Sequence, residues 1–78
     1  MPDLPRIHLD PMIMGGKPCI KGTRMTVGTI VGLLSAGRRE EEILEMYPYI
    51  EAEDIRAALA YAAWRLEEKE VALSPASS

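Results

Sequence analysis

From Gly15 to Arg24 the chain reads Gly15-Gly16-Lys17-Pro18-Cys19-Ile20-Lys21-Gly22-Thr23-Arg24: three glycines, one proline and three basic residues around a single branched aliphatic, Ile20. A stretch so dense in Gly and Pro is shaped by its backbone and its turns; no repeating apolar face can run through it. No long helix or strand fits there. Three helical patterns follow, so the chain reads as a shaped, basic N-terminal arm joined to a small helical unit. That combination points to a binding module and away from an enzyme.

Within the arm, Ile7 to Leu9 is a short strand candidate, stopped by Asp10-Pro11. Gly15-Gly16 makes a turn. Pro18 to Ile20 and Arg24 to Val27 supply further extended pieces around Lys21-Gly22-Thr23, so a small hairpin or ribbon is expected. Its edges need covering, or pairing within one chain or across two.

Thr26 is a suitable N-cap for a first helix. Val27, Ile30, Val31 and Leu34 fall at i, i+3, i+4 and i+7, one apolar face. Gly28 and Gly32 share a stripe and weaken the helix, which close approach of another backbone would explain. Gly37 is a stop signal. A second helix runs from about Glu40 to Met46, its acidic first turn suited to the helix dipole, and Pro48 ends it. A third starts near Ala52, with Ile55, Leu59, Ala62 and Leu66 as its expected buried stripe. The tight Tyr47-Pro48-Tyr49-Ile50 joint between helices two and three fits a helix-turn-helix.

At 78 residues there is room for one domain, and a domain this small is marginal alone and often oligomerises. One cysteine, Cys19, excludes an internal disulfide framework and fits a reducing compartment. The N-terminus lacks the pattern of a signal peptide, and no run approaches the roughly 18 apolar residues of a membrane span. A soluble cytoplasmic protein is expected. The net charge of −3 is unevenly spread. Residues 1–38 hold five basic against two acidic residues, a balance of +3; residues 39–78 hold four against ten, a balance of −6. The arm is the anion-facing half.

The order Asp10-Pro11, then Gly16 through Arg24, then Gly37 with Glu41-Glu42-Ile43-Leu44 and Tyr47-Pro48, then Asp54-Ile55 with Ala57-Ala58-Leu59 and Tyr61-Ala62, resembles domain of unknown function (DUF) family 433 across roughly residues 6 to 70. The resemblance implies a homeodomain-like helix-turn-helix in the helical part. It also implies an antitoxin of the VapB type, which would bind and silence a PIN-like ribonuclease toxin and could bind its own operator. The chain departs from the family pattern before helices two and three. Arg39 and Glu51 stand where Ser or Thr N-caps are common, and neither is a first-rank cap.

The residue types divide the functional readings. For DNA, the start of the third helix, Glu51-Ala52-Glu53-Asp54, brings three acids toward phosphate, which is poor chemistry for a recognition helix. The better DNA contacts are Lys17, Lys21 and Arg24, with Arg38 and Arg39 in support; the plainer account makes them a solvated basic turn. For a protein partner, Tyr61 and Trp64 are the candidate anchors, with the acidic helices complementing a basic ribonuclease. The plainer account has Trp64 capping the core or a homodimer contact. Catalysis has only His8 with Asp10 two residues on, without a nucleophile, and no metal-ligand set or cofactor motif accompanies them. Cys19 reads as a small apolar filler. Lys21-Gly22-Thr23 runs in the wrong order for a phosphate-binding P-loop.

The expected fold is therefore mainly α. A three-helix, homeodomain-like helix-turn-helix core (27–70) carries a short N-terminal β-ribbon arm (6–26) within one domain (1–73), followed by a disordered tail (74–78). A homodimer is expected. The favoured function is a non-catalytic, antitoxin-like partner of a PIN-like toxin. A DNA-binding regulator using the basic arm and an oligomeric structural module are the alternatives.

Overall fold

A computed structural model describes residues 4–69 of the chain, so the expected tail at 74–78 lies outside the described residues. Two short strands, β1 (Ile7–His8) and β2 (Cys19–Ile20), precede three helices: α1 (Val27–Ser35), α2 (Glu40–Met46) and α3 (Ala52–Lys69). The strands pair antiparallel within the one chain, Ile7 opposite Ile20 and His8 opposite Cys19. Cys19 also bridges to Thr26, and the Ile20 N–H donates to the Met25 carbonyl at 2.9 Å. The third extended piece therefore folds back beside β2 without becoming a full strand. A short 3-10 turn, Met14–Gly16, occupies the expected Gly15-Gly16 turn.

The helix limits follow from local chemistry. Thr26 caps α1 by accepting the Thr29 N–H at 3.0 Å. At the other end Gly37 adopts φ +96°, a conformation that suits glycine. Its N–H then reaches the Leu34 carbonyl and the Arg38 N–H reaches the Leu33 carbonyl, both at 3.0 Å. This is a Schellman closure, and it satisfies carbonyls the helix would otherwise orphan. The poor N-caps before α2 and α3 are compensated from inside each helix. The Glu42 carboxylate accepts the Arg39 N–H at 2.8 Å, and the Asp54 carboxylate accepts the Glu51 N–H at 2.8 Å. Each is the glutamate-type half of a capping box, supplied without a Ser or Thr partner.

The core is aliphatic. Ile30, Ile43 and Ile55, one from each helix, are buried, and Ala58 gives α3 a thin wall against α1, its main partner. The arm contributes Ile7, Ile20 and Met25 to the same core, so it is part of the domain and not an appendage to it. The expected stripe on α3 is only partly right. Ile55 is buried, but Leu59 and Leu66 are exposed; the inward face is Asp54, Ile55, Ala58 and Tyr61. Ile55, Ala58 and Tyr61, and not the leucines, follow the i, i+3, i+6 line that meets α1 and β1. Among the described residues no other backbone approaches the glycines of α1. Space for a side chain is open at Gly32, and at Gly28 only the Thr26 Oγ1 lies as near as 4.0 Å.

Candidate functional site

The Lys21-Gly22-Thr23-Arg24 turn is knotted by one side chain. The Thr23 hydroxyl donates to the Ile20 carbonyl at 2.8 Å and accepts the Met25 N–H at 2.9 Å. Gly22 supplies the φ of +80° that the reversal needs. With the backbone fixed by these bonds, Lys21 and Arg24 stand exposed on either side of the turn.

The α2–α3 joint brings an aromatic ring to the same place. Tyr49 follows Pro48, is 59% exposed, and meets Tyr47 edge-on at a centroid distance of 6.2 Å and an interplanar angle of 75°. Two open depressions meet along Lys21, Thr23 and Tyr49. One, of about 790 Å³, is completed by Ile13, Gly22 and Arg24. The other, of about 230 Å³, is completed by Pro5, Arg6, Ile20 and Asp54. Two cations, an exposed aromatic ring and a partly buried Ile13 thus share one surface.

Behind it lies an ion-pair latch. Arg6 Nη1 donates to Asp54 Oδ1 and to Glu51 Oε1, both at 2.9 Å. Asp54 is buried, so the pair ties the start of β1 to the start of α3. The hydrogen bonds from Asp54 and then Glu51 raise the Arg6 pKa further above its ordinary value. A raised cation pKa adds stability below the ordinary value and loses it only as pH climbs past the shifted one, so Arg6 stays charged across the working range. The latch also changes the electrostatic account of this region. Of the three acids at the start of α3, Glu51 and Asp54 are paired with Arg6, and Glu53 is not among the described ion pairs.

The other expected site residues are dispersed. Lys17 is exposed but borders neither depression. Arg38 and Arg39 are exposed beyond the far end of α1, whose nine residues put about 13 Å of helix between them and the turn. Tyr61, a candidate partner anchor, lies in the core with 8% exposure. Trp64 is half-buried against the core. Its ring sits 5.8 Å from that of Tyr61, and the Arg65 guanidinium lies 5.9 Å from its centroid. His8 Nε2 and Asp10 Oδ2 are 3.7 Å apart, beyond hydrogen-bond reach. Cys19 is a buried free thiol, its Sγ donating to the Lys17 carbonyl at 3.4 Å. Among the described residues no cluster of His, Cys, Asp or Glu could hold a metal ion, and no helix is long and apolar enough to cross a membrane. Tyr49 was not singled out as a site residue by sequence. Its place directly after Pro48 in the inter-helix turn was the available signal, because an aromatic there cannot join a helical face.

Comparison with known proteins agrees with this architecture. The model of the family described as protein of unknown function (DUF433) matches residues 7–62. A protein of Sinorhizobium fredii (strain NBRC 101917 / NGR234), uncharacterized protein y4eO, is 42% identical over 52 residues, which are 67% of this chain and 24% of that protein. The chain therefore spans about a quarter of the length of this curated relative. The crystal structure of a DUF433 member protein from Anabaena variabilis ATCC 29413 superposes with a TM-score of 0.76 at 35% identity, covering 81% of this chain and 62% of that one.

Proposed function

We propose that this chain, which belongs to the DUF433 family, is a small non-catalytic binding protein of the cytoplasm that holds nucleic acid on its ribbon turn, as an antitoxin-like regulator would. One observation carries the reading: Lys21 and Arg24 border the same depression as the exposed Tyr49, while Arg6 neutralises two of the acids that would repel phosphate. Phosphate contacts supply affinity through counterion release, and an accessible ring adds contact area without adding charge. In this reading α2 and α3 form a homeodomain-like helix-turn-helix whose joint, rather than the start of α3, faces the nucleic acid. The expected homodimer would present two such turns.

Fluorescence anisotropy over a salt series tests this, with the upstream DNA of the gene as a duplex and as its separate strands. The Lys21→Ala/Arg24→Ala double variant is expected to weaken binding and to flatten the slope of log K against log salt by about two. An unchanged slope removes the turn from the interface.

A second reading keeps the PIN-like ribonuclease as partner. It is favoured by the exposed Leu59 and Leu66, two turns apart on α3, which the core leaves uncovered. Partner affinity would then fall in a Leu59→Ser/Leu66→Ser variant and persist in the Lys21→Ala/Arg24→Ala variant, as read by titration calorimetry against the ribonuclease.

A further inference from the structure

We infer that Tyr49 is a stacking platform for an unpaired base, so that the ribbon turn takes single-stranded nucleic acid in preference to a duplex. This rests on the reading that the turn binds nucleic acid at all, and it specifies which form.

The grounds are the number of charges and the shape of the surface. Among the described residues the cations lining the larger depression are Lys21 and Arg24; Arg38 and Arg39 lie beyond α1 and do not extend the row. Two phosphate contacts are few for a duplex, whose binding proteins commonly make many more. A single strand offers what a duplex hides, the face of a base. Tyr49 is positioned to receive one: Pro48 restricts the backbone before it, the residue is largely exposed, and two open depressions share Lys21, Thr23 and Tyr49. The larger depression, about 790 Å³, is within the roughly 300–1,000 Å³ of small-ligand sites. Its lining includes Ile13, which suits a flat, weakly polar base, while Lys21 and Arg24 suit the flanking phosphates. Stacking on an aromatic side chain is indifferent to which base is present, so the preference predicted is for strandedness and not for sequence.

The test compares labelled oligothymidine and oligouridine of about 12 nucleotides with the oligothymidine annealed to its complement. The single strands are expected to bind more tightly than the duplex. Tyr49→Leu is expected to weaken single-strand binding by about 5- to 150-fold, the affinity of one stacked base, with the salt slope unchanged. Tyr49→Phe keeps the ring and should bind as the parent does. A preference between the two single strands reflects the 2′-hydroxyl or the thymine methyl, and binding to either supports the inference. The inference is overturned if the duplex binds as tightly as the single strands, or if Tyr49→Leu binds like the parent. If Tyr49→Leu has no effect while Lys21→Ala/Arg24→Ala still weakens binding, the stacking platform fails and the nucleic-acid reading stands. If neither single strands nor duplex bind, both fail. Tyr49 is largely exposed, so Tyr49→Leu should retain the parent's thermal unfolding profile.

Discussion

Two polar side chains of this chain each hold two roles at once. Asp54 completes the cap of α3 and anchors Arg6 with its two oxygens, so an acid at the expected recognition surface is engaged in holding the arm down. Thr23 both donates and accepts to close the turn that presents Lys21 and Arg24. Glycines at two positions differ in kind, and substitution separates them. Gly22 has φ +80° with open space around it, so Gly22→Ala meets only backbone strain; a loss of about 1–2 kcal/mol is expected. Gly32 is helical, exposed and equally open, so Gly32→Ala should stabilise by about 0.5–1 kcal/mol. Urea midpoints of the two variants should move in opposite directions. A Gly32→Ala variant that loses stability would mean that another surface covers α1 in solution.

The element that departs most from its sequence pattern is α3. Its leucines at 59 and 66 and its Ile55 have helical spacing, and apolar periodicity alone cannot rank one face above another when alanines occupy the remainder. Packing chose the face of Ile55, Ala58 and Tyr61, because Ala58 lets α1 approach closely while a leucine there would hold it off. Ala58→Leu should therefore overpack the core and cost about 1–3 kcal/mol, whereas Leu59→Ser should shift the unfolding midpoint little. Chemical denaturation of the pair checks the orientation of the helix: equal losses would mean that Leu59 is inside. The capping of α2 and α3 is, by contrast, local. A carboxylate three residues into each helix does the work that a Ser or Thr would do before it, so the missing cap residues leave no missing cap.

At the scale of the whole molecule the arm and the helices share one core. Ile7, Ile20 and Met25 complete a core whose other buried members come mostly from the helices, and the Arg6 latch adds a tie across 48 residues of sequence. A chain of this size has little stability to spare. Deletion of residues 1–26 should abolish cooperative unfolding, followed by circular dichroism on heating; a sharp transition in the truncated chain would show the helices to be self-sufficient. The same closeness is what creates the candidate site, since Lys21 and Arg24 come from the ribbon and Tyr49 from the α2–α3 joint, 25 residues later than Arg24.

What the sequence determined by itself was local: Thr26 as the cap of α1, Gly37 as its stop, Pro48 at the end of α2, the turn at Gly15-Gly16 and a β-ribbon in the arm. Each depends on a backbone preference or a hydrogen bond reaching only a few residues, and such physics is carried by the residues themselves. Tertiary structure decided which face of α3 turns inward, that Tyr61 is buried and Tyr49 exposed, and that Arg6 offsets Glu51 and Asp54. Those outcomes depend on volumes and charges brought together from distant parts of the chain, and spacing along one segment carries no record of what will pack against it.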